Sequence, residues 1–186
     1  MRIIAGDFKG RIIKAVPGNE TRPTSDKIKE AIFHKLGPFF NGGNCLDLFA
    51  GSGSLGIEAI SRGMDHVTFV EKTNQAYRVI QQNVKTLSLE EQADMLRMDA
   101  FRALPLLKKQ GKKYDLILID PPYEKVSYPK ILETIQQEDL LTDNSQVYVE
   151  TNSIEDLQYD KTYYTVTFER KYSQTTSVII LEKTTK

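Results

Sequence analysis

The sequence predicts an α/β domain: a mostly parallel seven-stranded sheet, an antiparallel hairpin at one edge, and a small N-terminal β-hairpin extension. Three observations lead there. Through the middle of the chain, short apolar runs alternate with stretches of helical period, the pattern of βαβ units. One such run, Cys45-Leu46-Asp47-Leu48-Phe49, leads into Gly51-Ser52-Gly53-Ser54-Leu55-Gly56, which reads as strand, glycine turn and helix start. Near the C-terminus, Tyr163 to Tyr172 and Thr176 to Leu181 are rich in Thr, Tyr, Val and Ile and form the expected hairpin.

In chain order, Arg2 to Ala5 and Arg11 to Val16 are β-prone and flank Gly6 to Gly10, a glycine-bounded turn. They read as a hairpin or as two short extended segments. Thr24 is placed to cap a helix through Leu36, with Ile28, Ala31, Ile32 and Leu36 on one face and Gly37-Pro38 ending it. Met64 to Val70 is the second strand, and Thr73 to Leu87 a helix with Ala76, Val79, Ile80, Val84 and Leu87 on one side. Ala93 to Met98 is the third strand, before a helix with Phe101, Leu104 and Leu107. Tyr114 to Asp120 is the clearest buried strand and is stopped by Pro121-Pro122-Tyr123. A helix over Tyr128 to Gln137 and a strand over Gln146 to Val149 follow.

The 186 residues fit residues 1–20 as the basic extension and 21–186 as one domain with its own core. One cysteine, Cys45, excludes an internal disulfide and fits a reducing compartment. The N-terminal apolar run is too short for a signal peptide and no stretch reaches membrane-span length, so the expected location is cytoplasmic. His34 and His66 stand apart from any His/Cys/Asp cluster, so no metal is expected. The chain is neutral overall, yet residues 1 to 36 hold eight basic and four acidic side chains. That basic arm fits a polyanionic partner or a solvated surface.

Ligands of open α/β sheets bind at the carboxyl ends of the strands. There the expected strands carry Glu71, Asp99 and Asp120, with Asp47 inside the first. A dinucleotide brings a pyrophosphate to the glycine turn, which a carboxylate at Asp47 would repel. S-adenosylmethionine has an ammonium, a sulfonium and no phosphate, so Asp47 tilts the expected cofactor towards it and away from NAD. Glu71, about 20 residues past the glycines, suits ribose hydroxyls. Asp99 suits an adenine amine or a helix cap. In Asp120-Pro121-Pro122-Tyr123 the prolines remove two N–H donors and fix the backbone, leaving acceptors for a planar amine. Tyr123 offers a face for stacking a base.

These motifs carry a resemblance. Asp120 to Tyr123 with the DLFAGSG loop resembles methyltransferases acting on exocyclic amines. MRIIAG…KGR, RPTSDKIKEAIF, LDLFAGSGSLGIEA and DPPY together resemble the bacterial 16S ribosomal RNA guanine-N2 methyltransferase family, ribosomal small-subunit methyltransferase D. The likeness covers nearly the whole chain and is weakest over 150–186. It implies a Rossmann-like class I methyltransferase fold, S-adenosylmethionine as donor, and a guanine of 16S rRNA in an assembling small subunit as acceptor; the enzyme is expected to be a monomer. It further implies donor contacts from Asp47, Phe49, Gly51, Gly53, Glu71, Asp99 and Thr24, and a target-base site at Asp120, Pro121, Pro122 and Tyr123. It also implies that Arg22 flanks that site, and the basic arm, Arg2, Lys9, Arg11, Lys14 and Arg22, is expected to face RNA.

Three other readings keep part of the pattern. An amine methyltransferase on DNA or on protein glutamine does not need the basic arm. A nicotinamide-dependent oxidoreductase leaves Asp47 and Asp-Pro-Pro-Tyr unexplained. A non-catalytic RNA-binding module leaves the cofactor residues without a use.

Overall fold

The structure, a computed structural model, describes residues 1–18, 26–122 and 126–185. The elements are α1 (Asp26–Leu36), β1 (Asn44–Asp47), α2 (Ser54–Ser61), β2 (His66–Val70), α3 (Asn74–Thr86), β3 (Ala93–Leu96), α4 (Ala100–Lys109), β4 (Tyr114–Ile119), α5 (Tyr128–Gln137), β5 (Leu141–Thr151), β6 (Tyr164–Lys171) and β7 (Ser177–Lys183), with a 3-10 turn at Glu90–Gln92. The helix cap expected at Thr24, and Arg22 and Tyr123, lie outside the described residues.

One seven-stranded sheet runs in the order β3-β2-β1-β4-β5-β7-β6. The first five strands in that order are parallel, while β7 is antiparallel to both β5 and β6. The central parallel strands β1, β2 and β4 are largely buried on both faces, as helix-covered sheets require. Cys45, Val67, Phe69, Leu116 and Leu118 face one core layer with Ile57 and Ile80. Leu46, Ile117, Ile119 and Val147 face the other with Leu104, Leu107 and Ile131.

Three boundaries that bear on the site or on the sheet's register differ from expectation. β1 ends at Asp47, so that acid terminates the strand instead of lying within it, because Gly51 and Gly53 turn the chain with φ of 57° and 83°. β3 stops at Leu96, which leaves Asp99 in the following turn. β5 begins at Leu141, earlier than Gln146, and reaches Thr151. Its polar first half, with Asn144 at φ 63°, pairs through an irregular register next to Tyr114.

Residues 1–16 are bound into this core. Arg2 and Ile12 form an antiparallel bridge, and Ile3 and Ile13 point inward at 1% and 3% exposure. The strap is fastened through side chains. Glu58 in α2 accepts from the N–H groups of Ile4 and Ala5, at 3.0 and 3.1 Å. Ser61 accepts from Phe8 N and donates to Ala5 O. Gly6 lies so close to Ser61 that an added Cβ would sit 1.7 Å from its carbonyl oxygen. Asn83 in α3 accepts from Lys14 N and donates to both Lys14 O and Ser52 O, linking the strap to the glycine loop.

Candidate active site

Because β1, β2, β3 and β4 are parallel, the turns that follow them open on one rim of the sheet, where Asp47, Glu71, Asp99 and Asp120 gather. Between β1 and α2 the chain makes the glycine turn. Gly53 is the N-cap of α2 in the left-handed region, which side chains avoid. Gly56 has a different reason to be glycine. A Cβ there would meet Phe69 Cε1 at 2.4 Å, so its absence lets α2 lie directly on the sheet.

Asp47 is 2% exposed and accepts a 3.0 Å hydrogen bond from Gly56 N. Burial drives its pKa up to about 7; the Gly56 N–H pulls it down and the neighbouring Glu71 charge pushes it further up. A buried acid that is half ionised near neutrality responds strongly to an arriving cation. Glu71, half-buried, has one oxygen accepting from Gly51 N at 2.9 Å and the other accepting from Thr73 N and Oγ1 at 2.8 and 3.0 Å. A carboxylate has about four acceptor sites, so three are used in holding the turn and one is left.

Asp99 is the N-cap of α4 and accepts from Phe101 N at 2.9 Å through Oδ1, which leaves Oδ2 available. Phe49 is half-buried against the second core layer. Asp120 is half-buried at the end of β4, Pro121 is buried and Pro122 exposed. The four basic side chains of the strap, Arg2, Lys9, Arg11 and Lys14, are all exposed. Arg2 pairs with Asp26 at 2.8 Å, Arg11 reaches Thr86 O at 3.5 Å and Lys14 reaches Gln82 at 3.3 Å.

Sequence reasoning missed a buried ionic cluster behind the glycine loop. Glu58, fully buried, meets Arg62 at 2.9 Å and Lys29 at 3.4 Å. Lys29 also donates to Ser54 Oγ, at the start of α2, and to Arg2 O. Burial lowers the Lys29 pKa, and Glu58 opposes that shift. The available signal was Glu58 and Arg62 at i,i+4 in an otherwise apolar helix. Among the described residues no three His, Cys, Asp or Glu side chains are placed to hold a metal ion, and no helix is long and apolar enough to cross a membrane.

The family model described as "Conserved hypothetical protein 95" matches residues 1–181. The chain belongs to that family, the ribosomal small-subunit methyltransferase D family. YlbH of Bacillus subtilis (strain 168) is 45% identical over 150 residues, which cover 81% of this chain and 82% of that protein. The Ribosomal RNA small subunit methyltransferase D of Haemophilus influenzae is 35% identical over 152 residues, covering 81% and 78%. The solved structure of yhhF from Escherichia coli superposes with a TM-score of 0.84 at 25% identity, covering 98% of this chain and 97% of that one. The Rossmann-like methyltransferase fold of the family is thus the fold of this chain.

Proposed function

We propose that this protein transfers a methyl group from S-adenosylmethionine to the exocyclic N2 amine of a guanine in 16S rRNA, within an assembling small subunit. The observation that carries the reading is the row of acids on one rim, Asp47, Glu71 and Asp120 at strand ends and Asp99 in the turn after β3, with the glycine turn following β1 among them. The methionine end of the donor lies against Gly51 and Gly53, where the buried Asp47 answers its cations. Glu71 takes the ribose through its remaining acceptor site and Asp99 Oδ2 the adenine amine, with further donor contacts assigned to Phe49 and Thr24. Asp120 and the carbonyls around Pro121 and Pro122 accept from the guanine amine, and Tyr123 stacks on its ring. Holding both amine protons turns the nitrogen lone pair towards the methyl carbon. The C–N bond forms as the C–S bond breaks, S-adenosylhomocysteine departs, and the nitrogen's extra proton is lost to solvent. Positioning supplies most of the rate. Arg2, Lys9, Arg11, Lys14 and Arg22 hold RNA phosphates. The enzyme acts as a cytoplasmic monomer.

Calorimetry with S-adenosylhomocysteine and with NAD tests the donor, and nucleoside mapping of small-subunit RNA from cells lacking this chain tests the acceptor. Binding of the first ligand alone, with one N2-methylguanosine missing from that RNA, is expected; NAD binding or an unaltered RNA contradicts the reading.

Glu71→Ala is expected to weaken S-adenosylhomocysteine by about 1.5–3 kcal/mol, the worth of a hydrogen bond to a charged group. An unchanged Kd removes Glu71 from the ribose.

The buried Asp47 gives a pH prediction. In the free protein its pKa lies above the ordinary carboxylate value, so a proton is held below about pH 7. The ammonium of the donor favours the ionised form, so binding expels that proton. Donor affinity is therefore expected to rise with pH up to about 7, by at most tenfold per unit, and to level off above it. By the same linkage, the free protein loses stability as pH rises through that window. Calorimetry in two buffers of different ionisation enthalpy reads the proton directly; no proton release at pH 6 contradicts the role of Asp47.

A further inference from the structure

Outside the rim cleft, the feature with the clearest ligand chemistry is a groove of about 350 Å³ between α1 and the edge strand β6. α1 contributes Lys27, His34 and Lys35, which recur at helical spacing on one face. β6 and its continuation contribute Phe168, Arg170 and Tyr172, which alternate and so share one face of the strand. Glu30 is the one acid among the described lining residues. Cations and rings are already engaged: Lys35 Nζ lies 5.4 Å from the Phe168 ring centre and the Arg170 guanidinium 5.1 Å from that of Tyr172. The Tyr172 hydroxyl is out of solvent and has no hydrogen-bond partner among the described residues.

Sheet register places this groove relative to the target-base site. Arg170 pairs with Val178, Val178 with Glu150, and the preceding residue of β5, Val149, with Ile119. Arg170 and Asp120 therefore lie on one row across β6, β7, β5 and β4, three strand spacings or roughly 14 Å apart. They share the rim on which the acids gather, on the side away from the glycine turn.

We propose that the α1–β6 groove binds a single-stranded segment of the RNA substrate next to the target guanine, with Lys27, Lys35 and Arg170 on its phosphates and Tyr172 against a base. This rests on the rRNA methyltransferase reading above. Interleaved cations and aromatic rings are what an unpaired strand needs, since every base has a face to stack and every linkage a charge. An RNA so held lies across the open edge of the sheet beside α1, whose first residue, Asp26, pairs with Arg2 of the strap.

The test uses the full chain with Lys27→Gln, Lys35→Gln and Arg170→Gln combined, and separately Tyr172→Ala. The probes are a labelled single-stranded RNA dodecamer, a duplex of the same sequence, and small ribosomal subunits from cells that lack this chain. For the triple variant the slope of log affinity against log salt for the single strand is expected to flatten by about two units, three phosphates at about 0.7 each. KM for small subunits is expected to rise about tenfold, with kcat, S-adenosylhomocysteine affinity and melting temperature unchanged. Tyr172→Ala should weaken the single strand more than the duplex. A wild-type slope and KM in the triple variant overturn the groove and leave the methyltransferase reading standing. Equal loss for duplex and single strand in both variants also overturns it. If the wild-type protein fails to methylate the subunits, the reading and the groove fall together.

Discussion

Asp120→Ala is expected to lower methyl transfer by about 10³-fold, close to 4 kcal/mol in the barrier, while donor affinity stays within a few-fold of wild type. Asp120 follows β4 at the rim and is only half-buried, with Pro121 fixing the backbone beyond it. On the reading proposed above, a carboxylate there acts on the incoming amine, whereas the glycine turn follows the neighbouring strand β1 and Glu71 follows β2 beyond it. Its work is orientation, which can supply up to about 7–11 kcal/mol in well-aligned reactions, so losing one of several acceptors removes a part of that. Single-turnover rates with saturating donor, together with calorimetry, separate the two quantities. Near-normal turnover with intact binding would mean that the backbone carbonyls suffice.

Glu58→Ala is expected to destabilise the fold by about 3–5 kcal/mol, the cost of leaving buried charges without their partner. Glu58 is 0% exposed, and its removal strands Lys29, Arg62 and the N–H groups of Ile4 and Ala5 together. Hydrogen exchange at Ile4 and Ala5 should accelerate more than at the β4 amides, because the strap loses its fastening first. Replacing all three charged groups, as Lys29→Met, Glu58→Leu and Arg62→Met, should cost less than Glu58→Ala alone. A denaturant midpoint unmoved by Glu58→Ala would show that the cluster contributes little.

How much of this was legible follows from the range of each signal. α5 runs from Tyr128 to Gln137 as the helical period requires, because Ser127 caps it and the apolar face is local. The acids at the rim were legible because they end apolar runs, and a strand end is a local event. Asp99 kept two readings open; the structure shows the cap, which uses one of its two oxygens. The first half of β5 was not legible, since Thr142-Asp143-Asn144-Ser145 reads as a turn and in fact lies in the irregular stretch between the two points, Leu141 and Gln146, where β5 pairs with Tyr114 and Leu116 of β4. Nor was the inner position of β7, although its unbroken Val178-Ile179-Ile180-Leu181 contrasts with the alternating, charged β6. The Glu58 cluster joins residues 54 apart in sequence at Ile4, beyond the reach of any periodicity.

The most direct measurement is to incubate the wild-type protein with S-adenosylmethionine labelled in its methyl group and small ribosomal subunits from cells that lack this chain, then to digest the RNA and separate the nucleosides. Label in N2-methylguanosine, lost with Asp120→Ala and kept with wild type at one position of the small-subunit RNA, is the expected result. Label in a methylated adenine or cytosine, in a protein amide, or nowhere in the particle contradicts the assignment of the guanine amine to Asp120 and Pro121.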